Sequence, residues 1–153
     1  MVDVVAPPVR SRMMAGIRVA DTKPELQLRR LLHAAGHRYR LHPHDLPGKP
    51  DLVFPRRRIA IFVHGCFWHR HEGCHWCSTP GSNSEFWGAK FARNVERDRD
   101  QVAALSAMDW RVGIVWECSL RGGGARGTIN ALDKWFDSDE PSFETGLVRE
   151  RKA

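Results

Sequence analysis

The chain has 153 residues, 27% of them charged and 42% hydrophobic, with a net charge of +6. That length suits one domain with a real core, and the composition is that of an ordinary globular protein rather than a largely disordered or membrane-embedded chain. Charge is uneven: residues 1–50 carry nine basic and four acidic side chains, whereas residues 101–153 carry seven and eight. A basic N-terminal third fits a polyanionic partner without demanding one. No apolar stretch approaches a membrane span, and Val4-Val5-Ala6 is too short for a signal sequence, so a cytoplasmic setting is expected. In that reducing setting the four cysteines, interleaved with histidines, favour metal over disulfides.

In chain order, residues 1–9 read as a loose lead-in. Ser11 to Ile17 is expected to form one or two helical turns. Thr22-Lys23-Pro24-Glu25 is a capping-box pattern ahead of an apolar stripe at Leu28, Leu31, Leu32 and Ala35, and Gly36 stops that helix. His37 to Leu41 alternates weakly, as a short strand does. Leu46 to Pro50 is turn chemistry. Asp51 to Phe54 predicts a strand, Pro55 to Arg58 a basic turn, and Ile59 to His64 a central strand buried on both faces. A long helix is expected from Ser84 or Glu85 to Met108, and a buried strand from Arg111 to Glu117. Leu120 to Gly127 reads as a Gly-rich loop carrying Arg121 and Arg126. Thr128 caps a last helix through Phe136, and a mixed-charge tail follows. These elements make one α/β domain with helices packed on a small mixed sheet.

Chemistry concentrates between Gly65 and Cys77, where Cys66, Phe67, Trp68, His69, His71, Cys74, His75, Trp76 and Cys77 crowd together. Cys66, His71, Cys74 and Cys118 form one Cys₃His set for tetrahedral zinc, and the Cys74-x-x-Cys77 pair offers a competing Cys₄ set. On the long helix, Phe91, Val95, Asp98, Val102 and Leu105 recur at spacings of 4, 3, 4 and 3, which puts Asp98 inside the apolar stripe while Glu96, Arg97, Arg99 and Asp100 point elsewhere. A carboxylate on a buried face needs a partner, either a structural Arg or the chemistry of a site. Glu25 also falls on an inner stripe, though a capping role explains it without catalysis. Asp51 stands where one strand begins beside the end of another, a place where α/β sheets put their sites. Trp110, Trp116 and Trp135 are assigned to the core. Phe67, Trp68 and Trp87 are either wedges for a flat partner or a cover for the zinc loop.

Phe-Val-His-Gly-Cys-Phe-Trp-His at 62–69, Asn-Val-Glu-Arg-Asp at 94–98, Pro-Gly-Lys-Pro-Asp at 47–51 and Val-Trp-Glu-Cys at 115–118 closely resemble the very-short-patch repair (Vsr) endonucleases, in register from about Ser11 to Arg121. The resemblance implies a restriction-endonuclease-like fold. It gives an N-terminal arm over residues 1–20 that contacts DNA, an endonuclease domain over 21–137, and a tail over 138–153 that need not be ordered. Pro50-Asp51 matches the Pro-Asp of such nucleases, while Phe62-Val63-His64 replaces the usual Glu-x-Lys, as in the family. The implied reaction is Mg²⁺-dependent nicking of duplex DNA 5′ to the thymine of a T·G mismatch left by 5-methylcytosine deamination. The alternative is a restriction-like or mobile-element nuclease with no mismatch requirement, and a non-catalytic zinc-stabilised DNA-binding module would need none of Asp51, His69 and Asp98.

By position, Asp51 and the backbone carbonyl of Val63 are the implied Mg²⁺ ligands. Glu25, His64 and His69 hold its waters and the scissile phosphate, and His69, oriented by Asp98, carries acid/base transfer. Zinc is structural in the Cys66, His71, Cys74 and Cys118 set. Phe67, Trp68 and Trp87 intercalate from the major-groove side, and Met14 (with Met13 as its neighbour) from the other. The implied partners are mismatched duplex DNA, a MutL-type mismatch-repair protein and a functionally linked cytosine-5 methyltransferase, with the protein acting as a monomer at the nucleoid. One residue is inserted between His71 and Cys74 relative to the family, and Cys77 is extra.

Overall fold

The computed structural model describes residues 21–74 and 77–145. The expected N-terminal arm with its helical turns and Met14, as well as His75 and Trp76, lie outside the described residues. Among the described residues no helix is long and apolar enough to cross a membrane.

Helix α1, Lys23–Ala34, starts where the cap pattern puts it: Thr22 Oγ1 accepts the Glu25 amide at 3.4 Å. It ends one residue before Ala35, which is exposed. Gly36 takes φ +96°, letting the His37 amide reach back to the Leu32 carbonyl at 3.0 Å in a Schellman-type closure. Strand β1 is only Arg40–Leu41, followed by β2 (Leu52–Phe54), β3 (Ile59–His64), α2 (Ser84–Ala107), β4 (Arg111–Trp116), a 3₁₀ turn (Glu117–Leu120), α3 (Gly124–Phe136) and β5 (Ser142–Glu144). The five strands lie in the order β1-β2-β3-β4-β5. β1, β2 and β3 pair antiparallel, and β3, β4 and β5 pair parallel.

Strand alternation sorts the core into two halves. Leu52, Phe54, Ile59 and Ile61 face Leu28 and Leu32 of α1 and Ile129, Leu132, Trp135 and Phe136 of α3. Val53, Ala60, Phe62 and Val112 face Leu105 of α2, with Val102 and Trp110 alongside. Helices thus cover both faces of a small mixed sheet, and β3, apolar from Ile59 to Val63, is buried on both sides as its sequence predicts. Trp116 and Trp135 are buried and Trp110 is half-buried.

Two expectations need correction. Helix α3 begins at Gly124, a full turn before Thr128, so Thr128 is an interior residue that donates to the Ser119 carbonyl at 2.7 Å rather than a cap. Glycine disguises that start, yet a Cβ at Gly124 would come within 3.0 Å of the Ser119 carbonyl oxygen, so the close approach itself calls for glycine. The tail also contains structure: Ser142–Glu144 adds an edge strand, tied on by Trp116 Nε1 donating to Glu144 at 2.6 Å and the Trp116 amide donating to Thr145 Oγ1 at 3.0 Å. Three residues are too few to show a period.

Gly113 in β4 lies under Trp135, whose ring atoms would stand 3.0 and 3.2 Å from an added Cβ. Gly113→Val is expected to destabilise the protein by about 1–3 kcal/mol through overpacking, read as a lower midpoint in urea unfolding.

Candidate active site and metal centre

The last two residues of β3 leave the strand on opposite faces. His64 continues the Phe62 side, toward α2, and Val63 packs with the α1 side. Asp51, just before antiparallel β2, is beside them, and its Oδ2 accepts the Val63 amide at 2.7 Å. A strand residue's N–H and C=O project to the same side, so the Val63 carbonyl is carried to the Asp51 side as well. Burial raises the Asp51 carboxyl to about 7; the Val63 hydrogen bond opposes that shift and nearby Glu25 adds to it.

A cleft of about 630 Å³ opens at this end of the sheet, and Glu25, Asp51, Val63, His64, His69 and Asp98 all line it. His69 and Asp98 meet as a pair, with Nδ1 2.7 Å from Oδ2, so the ring donates its Nδ1 proton to the carboxylate and keeps Nε2 as its other functional nitrogen. The His69 ring lies stacked on His64 at 3.9 Å and 5°, and Trp116 closes on His64 edgewise at 5.2 Å. His64 is 5% exposed, and burial first, then the neighbouring His69, drops its pKa to about 3, so it is neutral at ordinary pH. The nitrogens of His64 and His69 approach Asp98 closely, yet two parallel stacked imidazoles do not point their in-plane lone pairs at a common centre.

Glu25 is a helix-start residue that also lines the cleft. It is 1% exposed; its own amide donates to Thr22 and its carboxylate reaches past the cap to accept from the Asp21 amide at 3.0 Å. The stripe reasoning placed Asp98 correctly, half-buried with a partner. Arg97, off the stripe as expected, is exposed and reaches the cleft, donating to Asn94 at 3.0 Å. The stripe reasoning overlooked Asn94, buried and donating to the Trp68 carbonyl at 3.1 Å. Lys49, Lys90 and Gln101 line the same cleft, and the two lysines give its rim positive charge. Of these, Lys49 stood within the Pro-Gly-Lys-Pro-Asp motif and Lys90 precedes Asn94 and Asp98 at i, i+4 spacing along α2, whereas Gln101 left no signal in the sequence.

Beyond β3 the chain turns into the thiol-rich loop. Cys66, His71, Cys74 and Cys118 bring their ligand atoms within 4.8 Å of one another, and Cys77 is not in that group. His71 Nδ1 lies 3.6 Å from Cys66 Sγ and 3.4 Å from Cys118 Sγ. Bond lengths of about 2.0–2.1 Å to nitrogen and about 2.3 Å to sulfur around a tetrahedral zinc imply a nitrogen-to-sulfur edge of about 3.6 Å, so the donor set fits such an ion. Burial pushes the Cys66 thiol well above its usual range, and a bound cation is what makes a thiolate tenable there. His71 is further fixed by Trp116, stacked on it at 4.2 Å and 8°.

Phe67, Trp68 and Trp87 are half-buried and form a ledge of rings with Phe91, closed by Arg70, whose guanidinium sits 4.0 Å over the Phe91 ring. Trp68 reaches the cleft wall. The rings pack on one another and, through Trp87 and Phe91, belong to the surface of α2, with Trp68 alone of the three lining the cleft.

Residues 2–76 match the family described as DNA mismatch endonuclease Vsr. The chain is 45% identical over 122 residues to the DNA mismatch endonuclease Vsr of Escherichia coli K12, covering 80% of this chain and 78% of that protein. The chain belongs to the Vsr endonuclease family. It is also 48% identical over 125 residues to the type II nicking enzyme V.XorIIP of Xanthomonas oryzae pv. oryzae, covering 82% of this chain and 91% of that one. With the type II nicking enzyme V.NmeAIP of Neisseria meningitidis it shares 38% identity over 121 residues, 79% and 86% of the two chains. This Vsr-family protein is a DNA mismatch endonuclease.

The two buried groups of the cleft respond oppositely to pH. Between 3.8 and about 7 the folded chain holds a proton on Asp51 that the unfolded chain has released, so that contribution favours folding at low pH and is lost as pH rises through the window. His64, depressed from 6.5 to about 3, acts the other way and costs stability as pH falls through that interval. Asp51→Asn removes only the first effect. Its stability gain over wild type, without added divalent cation, is therefore expected to grow as pH rises from 3.8 toward 7 and then level off, read by urea unfolding across pH.

Proposed function

We propose that this endonuclease nicks duplex DNA on the 5′ side of the thymine in T·G mismatches arising from deaminated 5-methylcytosine. In this reading it uses Mg²⁺ on a restriction-endonuclease-like fold braced by structural zinc. The observation that carries the reading is the cleft itself, which gathers an oxygen-donor pair, Asp51 with the Val63 backbone, and a His69–Asp98 acid/base pair.

Asp51 and the Val63 carbonyl would hold Mg²⁺, a cation that takes one or two carboxylates and keeps several other oxygen ligands. Bound there, Mg²⁺ supplies electrostatic stabilisation of the charge that develops at phosphorus. His69 accepts or returns a proton at Nε2 while Asp98, held at Nδ1, fixes the ring and steadies its charged form. His64, neutral and stacked, sets the plane of His69 and, with Glu25, orders the phosphate and its hydration. Lys49, Lys90 and Arg97 on the cleft wall suit the phosphate backbone. Phe67, Trp68 and Trp87 enter the base stack beside the mismatch, assisted by Met14 from the N-terminal arm. Unstacking a step costs about a few kcal/mol, and a mismatch lowers that cost. Cys66, His71, Cys74 and Cys118 hold the zinc that keeps this ledge in place.

The deciding experiment is a nicking assay on labelled duplexes carrying T·G, C·G or T·A in varied flanks. Mg²⁺-dependent cutting of the thymine strand of T·G duplexes is expected. Asp51→Ala should abolish it while mismatch binding by gel shift persists. Equal cutting of C·G duplexes would favour a nuclease without mismatch requirement, and wild-type-like cutting by Asp51→Ala would remove the proposed metal site. For the other metal, elemental analysis is expected to find one zinc per chain, lost in Cys118→Ser and kept in Cys77→Ser. Loss from the Cys77 variant would shift the assignment to the Cys₄ set.

A further inference from the structure

His42 lies just past β1, and its contacts run to two acidic residues that line the cleft. Its Nε2 is 2.8 Å from Glu25 Oε2, and its Nδ1 is 3.9 Å from Asp51 Oδ1. The His42 amide also reaches the Asp51 carbonyl at 3.4 Å. One imidazole therefore touches both carboxylates, which also lie against each other. Its backbone sits at φ +44°, in the left-handed region that non-glycine residues seldom occupy, so the chain adopts an uncommon turn where it brings this ring to that gap.

Arg29 completes the arrangement from α1. Its Nη2 pairs with Glu25, lies 2.5 Å from Asp21 Oδ1 and 3.0 Å from His42 Nε2. Its Nε is buried without a hydrogen-bond partner among the described residues, so the guanidinium is placed for what Nη2 touches. Although the ligand atoms of Asp21, Glu25 and His42 cluster closely enough for an ion, Arg29 already brings a positive charge among them. The cluster is a support for Glu25, whose buried carboxylate would otherwise be free to turn.

We propose that His42, backed by Arg29, is a positioning residue that holds Glu25 and Asp51 in the spacing divalent-cation binding requires. This role rests on the Mg²⁺-dependent chemistry proposed for the cleft. His42 touches the carboxylates and not the reacting atoms, so its removal should loosen metal binding more than DNA binding. Partners one step removed from a metal typically change affinity or activity by about 10–100-fold when lost.

The test uses the full-length, zinc-loaded protein and compares His42→Ala, His42→Gln and His42→Asn with wild type. Two Mg²⁺ titrations are read, single-turnover nicking of a T·G duplex and the rise in melting temperature with Mg²⁺ alone. His42→Ala is expected to need about tenfold more Mg²⁺ in both, with duplex binding in the absence of divalent cation unchanged. His42→Gln, whose amide can still donate to Glu25, should recover most of the difference, and the shorter His42→Asn should not. Should the alanine chain fail to fold, the Gln and Asn pair decides: a raised requirement in Asn alone supports the proposal, and equal requirements in the two overturn it. Titrations of His42→Ala that coincide with a Mg²⁺-dependent wild type overturn this proposal alone. Mg²⁺-independent nicking by wild type overturns the functional reading and this one with it.

Discussion

The site depends on how β3 ends. Because successive residues of a strand face opposite ways, Val63 and His64 reach different layers of the protein within one step. Val63 turns its amide to Asp51 on the side of α1, while His64 carries the stack with His69 toward α2. Shifting the register by one residue would exchange these faces and bury the wrong group on each. That register is held by six consecutive pairs with β4 and by the apolar residues of β3 that fill both cores. The chemistry is thus assembled by the same constraint that builds the fold.

Different forces fix the loop after β3. It carries His69 with no strand to hold it, and its residues are pinned at several points. Asp98 holds His69 from α2, Asn94 holds the Trp68 carbonyl, and Arg70 binds the carbonyls of Phe67 and Ser78. The cysteine–histidine cluster joins this loop to the 3₁₀ turn after β4 through Cys118. Hydrogen bonds, ring packing and ligand geometry here replace the hydrophobic burial that orders the sheet.

The parts legible in the sequence are those whose signal is local or periodic. The cap at Thr22, the apolar run of β3 and the long helix with Asp98 inside its stripe all emerged from spacing alone. So did the four residues that cluster in space as Cys₃His, although Cys77 remained a competitor until the distances separated it. His42 and Arg29 left no trace, since their partners come from three separate segments and a lone histidine in a Pro-His-rich stretch carries no pattern. Arg97 is exposed as its place off the stripe predicts, but its place on the cleft wall was not legible, because a helical wheel sorts residues by the core they avoid and says nothing of where a long side chain ends. The start of α3 was hidden by glycines required by close packing, and β5 by its brevity.

Trp116 is a wall shared by two rooms. Its indole lies flat on His71 of the cysteine cluster and edge-on to His64 of the cleft, while its Nε1 is anchored to Glu144 on the edge strand. Displacing that ring would remove a packing surface from both neighbours at once. Oxidation of the thiols, or a change in the last strand, would alter the floor on which the stacked histidines rest. The cysteine cluster and the cleft thus share one packing partner, in addition to the loop that runs from His64 through Cys66 to His69.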